Sequence, residues 1–283
     1  ADTLGRTVAN QLGPILGQQI VVENRGGANG MIGADLVAKA APDGYTLMFQ
    51  SVTSHAINPT MYGKTPYSTE KDIVPLAVVA SVPMLLVANP SLPAKNIAEL
   101  IALAKKKPDE LSYASFGNGS ASHLAGELFT NQAGIKMTHI PYKGGGPAIT
   151  DTLGGQVPMS FSAFGVALPH VKSGKLIALG TTGPTRARLL PDVPTIEEAG
   201  NLKAYEMSIV YAVWAPAGVP APIVNKLTKA LEQVVASAAF KEKVSSDGGE
   251  VMNLSTPAES NAYFQKEMQR LSKIVKDGNI KAD

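Results

Sequence analysis

Short apolar segments alternate with glycine-rich loops and helix signals along most of the chain. Residues 45–50, 111–115, 137–140 and 157–162 have the length and composition of buried strands, and loops rich in glycine or serine follow several of them. Helical patterns come next in the chain. This alternation predicts βα units around a largely parallel sheet, so the fold belongs to the α/β class.

The remaining elements follow from periodicity and capping signals. Residues 2–16 predict a helix that ends at Gly17, and 19–23 a buried strand. The apolar run 73–88 contains Pro75 and Pro83, which favours two strands over one. Residues 175–181 predict another strand. Capping boxes predict helices after three further positions, which are Asn96, Thr195 and Thr256.

The middle of the chain predicts a domain of its own. Residues 85–207 contain a self-contained βα series, whereas the C-terminal helices have no sheet of their own in this interpretation. Residues 1–84 and 208–283 are therefore expected to form one discontinuous domain. Two chain crossings, near Met84 and Ser208, suit a hinge, and clefts between domains are frequent ligand sites.

Composition excludes several classes of protein. Hydrophobic residues make up 45% and charged residues 17% of the chain, with a net charge of +2, which excludes a disordered chain and gives no sign of a nucleic-acid binder. No apolar run approaches the roughly 18 residues of a membrane span. The chain contains no cysteine, and its histidines lack metal-ligand spacing. We therefore expect neither a metal nor a cofactor.

The loop of residues 115–122 carries the densest polar signal. Its hydroxyl and amide groups come from Ser115, Asn118, Ser120 and Ser122, while Gly117 and Gly119 let the backbone approach a ligand. The loop leads into a helix, whose N-terminal N–H groups favour an anion. It contains no Lys or Arg, which favours a carboxylate over a phosphate. An ordinary N-cap and turn explains these residues equally well.

Other loops have similar positions at strand ends. Tyr142, Gly144 and Gly145 follow one strand, and the glycines can form a backbone concavity for an anion. A second group, Ser51, Thr53 and Ser54, follows the strand that ends at Gln50, where open α/β sheets bind ligands. His123 lies in the first turn of the helix after Ser122 and is expected to line the same site.

Two enzyme classes are alternatives. The loop 26–33 resembles a dinucleotide fingerprint, but Ala28 occupies the first glycine position and the next strand ends without an acid. The string 117–121 lacks the closing glycine of a nucleophile elbow, although Ser120 and His123 are close in sequence. A hydrolase or nucleotide-dependent enzyme that uses residues 115–122 stays the alternative. An effector-binding regulatory domain would need a DNA-binding module, which the sequence does not show.

Several strings resemble one known family throughout the chain. They are VVENRGGA at 21–28, GAD at 33–35, APDGYTL at 41–47, YAS at 113–115, GS at 119–120, HLAGE at 123–127, PYKG at 141–144, LPDVPT at 190–195 and APAG at 215–218. In this order they resemble the Bug, or TctC-like, solute-binding receptors of tripartite tricarboxylate transporters.

The resemblance implies a function and a location. It implies a periplasmic, monomeric receptor with no enzymatic activity, built as a two-domain periplasmic-binding-protein (type II-like) fold with a hinge and an interdomain cleft. Its ligand would be a small carboxylate, such as a dicarboxylic amino acid, a tricarboxylate or an aromatic acid. Membrane permease subunits of the transporter would be its protein partners, and nucleic acid would not.

The resemblance also assigns ligand-binding positions. It implies that the loop 115–122 binds a carboxylate, with 51–54, 142–145, Ala163 and Phe164 completing the wall. The family opens with a strand and a loop before its first helix, and an Asp lies near that helix start. On this resemblance Asp2 is expected to be the matching Asp, with the family's first strand and first-domain ligand loop expected to be missing ahead of it.

Overall fold

The computed structural model describes residues 1–278 and 280, and within them eleven α-helices can be assigned. Four of them begin or end at the capping residues that the sequence indicates, which are Gly17, Asn96, Thr195 and Thr256. The helices are α1 (Asp2–Leu16), α2 (Met31–Ala38), α3 (Val52–Tyr62), α4 (Ile97–Lys106), α5 (Ala121–Ala133), α6 (Gly145–Leu153), α7 (Phe164–Lys172), α8 (Ile196–Gly200), α9 (Ala221–Ala236), α10 (Ala238–Ser246) and α11 (Pro257–Asp277).

Eight strands complete the described secondary structure. They are β1 (Met48–Ser51), β2 (Ile73–Ala88), β3 (Ser112–Ser115), β4 (Thr138–Pro141), β5 (Met159–Ala163), β6 (Ile177–Thr181), β7 (Ser208–Pro216) and β8 (Glu250–Leu254). None of the helices in the described ranges is both long enough and apolar enough to cross a membrane.

The chain divides into two compact units. The first contains Ala1–Ser81 and Val210–Lys273, and the second contains Val82–Ile209 and the segment that begins at Ile274. The long strand β2 contributes its first half to one unit and its second half to the other.

In the first unit, β1 pairs antiparallel with β7, and β2 pairs antiparallel with β8. The buried face of α1 repeats at helical spacing through Leu4, Val8 and Leu12. These side chains form one core with Leu231 of α9 and Phe240 of α10. Helices therefore form a layer on this sheet, because each of them buries its apolar stripe in the shared core.

In the second unit, three parallel strands lie side by side in the order β5, β3, β4. The second half of β2 pairs antiparallel with β5 and with β6. Because β3, β4 and β5 are parallel, their C-terminal ends lie at the same edge of the sheet. Each of these strands leads into a helix, β3 into α5, β4 into α6 and β5 into α7.

The predicted strand 19–23 is absent. These residues have irregular backbone, and Val21 is 77% exposed. The prediction was wrong because only three apolar residues lie between polar ones, and an extended segment of that kind needs a paired neighbour to become a strand.

The apolar run 73–88 forms one continuous strand, β2, rather than the two that were predicted. Pro83 does not divide it because the pairings of β2 with β8, β5 and β6 leave room for it. The register with β8 involves Val78 to Ser81 and the registers with β5 and β6 begin at Met84 or Leu85, so Pro83, which has no N–H, lies between these stretches.

The sequence also missed elements in both units. The sequence predicts a strand-end loop at Ser51 to Ser54, but α3 begins at Val52 and buries Ala56 and Ile57. The strands β7 and β8 of the C-terminal region were not predicted, and they pair with β1 and β2 of the N-terminal segment rather than with each other. Helix α7 was missed because Pro169 lies inside it, near its C-terminal end.

Candidate functional site

The loop between β3 and α5 is held together by its own hydroxyl groups. Ser115, fully buried at the end of β3, accepts a hydrogen bond from the Gly117 N–H (3.1 Å). Ser122 accepts one from the Phe116 N–H (2.8 Å), and its hydroxyl also bonds that of Ser120 (2.9 Å). These bonds fold the loop back on the first turn of α5, so the polar cluster that the sequence indicates is a single structural unit.

Ser120 is the N-cap of α5. Its hydroxyl accepts from the His123 N–H (3.3 Å), and its backbone N–H donates to the Gly117 carbonyl (3.1 Å). Asn118 lies between the two glycines, and its Oδ1 is buried with no hydrogen-bond partner among the described residues. Part of the polar signal is thus ordinary capping, while Asn118 Oδ1 is not explained by capping.

The neighbouring loop after β4 is joined to this one by backbone hydrogen bonds. The Tyr142 N–H donates to the Ser115 carbonyl (3.2 Å), and the Gly144 N–H donates to the Phe116 carbonyl (3.0 Å). Gly117 has a φ of +128°, and a Cβ there would lie 2.9 Å from the Tyr142 carbonyl oxygen. Glycine is therefore required at this position both by its backbone conformation and by the closeness of the second loop.

Three helix N-termini follow the three neighbouring parallel strands. Gly144 is the N-cap of α6 and Ala163 is the N-cap of α7, and neither helix has a side-chain cap among the described residues. The first N–H groups of a helix have no partner within it, so Gly145 and Gly146 of α6 and Phe164 of α7 present donors at the sheet edge. The Phe164 ring itself is fully buried in the core with Leu85 and Ile149.

The charges at this edge are few. The segment 115–122 contains no Lys or Arg, and Lys143 is exposed. The Tyr142 hydroxyl donates to Asp151 Oδ2 (2.7 Å). Desolvation raises the pKa of Tyr142 to about 12, and the neighbouring Asp151 carboxylate adds to the effect. An anion at this edge would therefore be held by neutral donors and helix dipoles rather than by a cationic side chain.

His139 on β4 was missed by sequence reasoning. Its Nε2 lies 2.6 Å from the Ser115 hydroxyl, and its ring stacks on that of His123 with a centroid separation of 3.9 Å. Burial lowers the pKa of His139 to about 3, with a further contribution from His123. In the parallel register His139 pairs with Tyr113, so His139 lies on the same face of the sheet as Ser115. The sequence reveals this neighbourhood only once the pairing of β3 with β4 is known.

The following contacts of Ser120 and His123 argue against the hydrolase alternative. His123 Nδ1 accepts from the Gly119 N–H (3.2 Å), and its Nε2 lies 3.8 Å from Glu127 Oε1. Ser120 receives the His123 backbone N–H rather than the imidazole. Ser115 does contact an imidazole, but its side chain has no exposed surface from which to attack a substrate.

The glycine-rich loop before α2 is filled by protein side chains. Asn29 Nδ2 donates to Asn58 Oδ1 (2.9 Å), and Gln50 Nε2 donates to the Asn29 carbonyl (3.4 Å). These contacts favour a tight turn over a dinucleotide site.

The four predicted residues in the first unit have distinct roles within that unit. Asp2 accepts from Arg6 Nε (3.0 Å) and Asn24 Nδ2 (2.8 Å). Ser51 is the N-cap of α3 and accepts from the Ser54 N–H (3.4 Å), while Thr53 is buried. Their assignment to a ligand stays a prediction.

Comparison with known proteins decides the family. Residues 4–280 match the sequence model of the tripartite tricarboxylate transporter family receptor, TctC. The chain belongs to this receptor family. As a TctC-family receptor it is a solute-binding transport protein and not an enzyme, and the family resemblance predicted from the sequence is confirmed.

Curated relatives and solved structures agree with this assignment. The chain is 36% identical to protein BugT of Bordetella pertussis over 281 residues, which cover 99% of this chain and 86% of BugT.

Two solved structures are also similar. Rpa4515 of R. palustris, solved with adipate, is 34% identical with a TM-score of 0.93 and covers 99% of this chain and 93% of its own. MatC of Rhodopseudomonas palustris, with bound malate, is 31% identical with a TM-score of 0.88. The match covers 97% of this chain and 94% of the MatC chain. The predicted two-domain α/β periplasmic-binding-protein fold is thereby confirmed.

Proposed function

We propose that this receptor captures a small carboxylate at the N-termini of α5, α6 and α7 and delivers it to the membrane permease subunits of a tripartite tricarboxylate transporter. In this proposal the protein works in the periplasm as a monomer. The ligand class is a di- or tricarboxylate, a dicarboxylic amino acid or an aromatic acid, and aliphatic dicarboxylates are the first candidates.

The observation that carries the proposal is the edge formed by β5, β3 and β4. Three helices begin at the C-terminal ends of these adjacent parallel strands, and two of them lack a side-chain cap among the described residues. Each helix N-terminus stabilises a nearby anion by about 0.3–1 kcal/mol when exposed and by more when partly buried. Several such termini at one edge therefore favour a carboxylate without a cationic side chain.

The similar proteins support the choice of dicarboxylates. Rpa4515 was solved with adipate and MatC with malate, both of them small dicarboxylates. The absence of Lys and Arg from residues 115–122 agrees with a carboxylate, because phosphate ligands are commonly held by cationic side chains as well.

The proposal is tested by isothermal titration calorimetry with adipate, malate, citrate, glutamate and benzoate, with NAD and ATP as controls. At least one acid is expected to bind in a single-site isotherm. At about 100 times its Kd it should also raise the free energy of unfolding by about 2.7 kcal/mol. Binding of NAD or ATP with no response to any acid would overturn the proposal.

A matched pair of variants at Gly146 tests the location. Gly146 lies in the first turn of α6, and a Cβ there meets no atom within 4 Å. Gly146→Asp places a carboxylate at the helix N-terminus, which favours the helix but competes with an anionic ligand. Gly146→Asn has nearly the same shape without the charge.

The Asp variant is expected to bind the acid at least about tenfold more weakly than the Asn variant, since unit charges a few ångströms apart near a protein surface repel by a few kcal/mol. Equal affinities of the two variants would place the carboxylate elsewhere.

A further inference from the structure

Two stacked imidazoles lie behind the loop 115–120. The rings of His123 on α5 and His139 on β4 are nearly parallel, with an interplanar angle of 6° and a centroid separation of 3.9 Å. Tyr113 also stacks on His139, with a centroid separation of 5.1 Å. His123 is almost fully buried, and His139 is partly buried.

His123 holds one amide of the loop directly. The Gly119 N–H donates to His123 Nδ1 (3.2 Å), which requires that this nitrogen carry no proton. The neutral ring then carries its proton on Nε2, which faces Glu127 Oε1 at 3.8 Å. Glu127 is itself fixed by the Tyr113 hydroxyl, which donates to the same oxygen (2.6 Å).

His139 holds a second amide through Ser115. The His139 Nε2 and Ser115 Oγ atoms are 2.6 Å apart, and Ser115 Oγ accepts from the Gly117 N–H (3.1 Å). Ser115 is fully buried, so its hydroxyl cannot exchange the imidazole for solvent water. The two histidines therefore fix the two amides on either side of Asn118.

We propose that His123 and His139 are positioning residues for the carboxylate site, which they serve by fixing the Gly117 and Gly119 amides so that the loop is held in its binding conformation before the ligand arrives. The proposal rests on the proposed function. A loop held in this way loses less conformational freedom on binding, and preorganisation of this kind increases affinity.

Asn118 lies between Gly117 and Gly119, and neither of the hydrogen bonds that hold these two glycine amides involves it. Its side-chain Oδ1 is buried without a hydrogen-bond partner among the residues described, which costs free energy unless a partner is supplied. Fixing Gly117 and Gly119 therefore also sets the position of Asn118, whose Oδ1 can still accept a hydrogen bond.

The chain offers matched variants at both histidines. In His139→Gln, the side-chain amide can replace Nε2 as a partner for Ser115, whereas His139→Leu cannot bond it. In His123→Asn, Oδ1 can replace Nδ1 as the acceptor for Gly119, whereas His123→Leu cannot.

The experiment measures amide hydrogen exchange at Gly117 and Gly119 by NMR in the ligand-free protein, together with adipate and malate affinities by calorimetry. Both Leu variants are expected to lose protection of the corresponding amide and to bind the acid at least about tenfold more weakly, while the Gln and Asn variants remain within about threefold of wild type. The imidazole ¹⁵N shifts of wild-type protein should report His123 as the Nε2–H tautomer.

Each other outcome is decisive. A His123 tautomer protonated on Nδ1 would overturn the inference, and because it is read from wild type this result does not depend on how well the Leu variants fold. Leu variants with unchanged exchange at Gly117 and Gly119 would overturn it as well. Lost protection with unchanged acid affinity would also overturn it. If wild type binds no acid, the proposed function fails, whereas the exchange and tautomer data still show whether the histidines fix the loop.

Discussion

Gly126 on α5 faces the Tyr113 ring so closely that a Cβ at Gly126 would overlap the ring. The ring is fully buried between α5 and the sheet, where it meets Phe161 edge-on at 5.7 Å. Tyr113 also donates to Glu127, so its position affects the contacts behind the loop 115–120.

Gly126→Ala is therefore expected to destabilise the protein by about 1–3 kcal/mol, the usual cost of overpacking a core. Urea unfolding followed by circular dichroism measures this. Gly154→Ala is the control, because a Cβ at that position meets only ordinary van der Waals contacts, at 3.5 Å or more. Equal midpoints for the two variants would show that Tyr113 can shift without cost.

Gly117→Ala should weaken both stability and ligand binding. Its φ of +128° is costly for alanine, and its Cβ would press on the Tyr142 carbonyl oxygen. We expect a loss of about 1–3 kcal/mol in the free energy of unfolding, as for other strained backbone positions. Because the loop must move, we also expect at least about tenfold weaker binding of adipate or malate in calorimetry.

Gly134→Ala is the control for this effect of φ. Gly134 has a φ of +61°, but a Cβ there meets no atom within 4 Å, and it lies at the opposite end of α5. This variant should lose some stability and keep wild-type affinity. A Gly117 variant that binds as well as the Gly134 variant would show that the loop conformation does not matter for binding.

Ser122→Ala should cost more than a typical surface serine. The change removes the acceptor of the Phe116 N–H and a hydrogen-bond partner of Ser120. An amide left without a partner in a buried setting costs about 1–3 kcal/mol. Ser246→Ala, which removes an exposed hydroxyl at the end of α10, is expected to change stability by less than about 0.5 kcal/mol. Equal thermal-unfolding midpoints for the two variants would contradict this expectation.

His55 predicts a pH dependence of stability in the first unit. It is buried against Trp214, Tyr67 and Phe264, and this burial lowers its pKa from 6.5 to about 4. Between these values the unfolded chain binds more protons than the folded one. The His55 contribution to stability is therefore fully present above pH 6.5 and is lost as the pH falls towards 4.

An NMR titration of the imidazole resonances measures the pKa values of His55 and His139 directly. His139, whose pKa is lowered to about 3, and His55 should both remain neutral from pH 8 to pH 5 in the folded protein. The His123 ring stacks on His139, so protonation of His139 would place a charge against that buried ring. Titration of either ring near pH 6.5 would contradict this picture.

Much of the second unit could be predicted from sequence because its signals are local. The strand end at Ser115 and the helix that follows the loop 115–122 depend on residue type within about one turn. The capping box at Thr195 is present as predicted, with Glu198 reaching back to the Thr195 N–H. Family resemblance was required to choose a carboxylate receptor over simple capping.

What the sequence could not provide depends on pairing between distant segments. Whether Gln19 to Glu23 becomes a strand depends on a neighbour rather than on its own residues. The role of His139 depends on the register of β4 against β3, which places it beside Ser115 and His123. Pro83 falls between the stretches of β2 that pair with β8 and with β5, which the run itself does not reveal.

The most direct test of the central claim is amide chemical-shift mapping on titration with adipate and malate. The account predicts that the largest changes occur at the first turns of α5, α6 and α7, at Asn118 to Ser122, Gly145 to Ala148 and Phe164 to Val166. Saturable changes confined to other parts of the chain, or no changes with either acid, would contradict a carboxylate site at these helix N-termini.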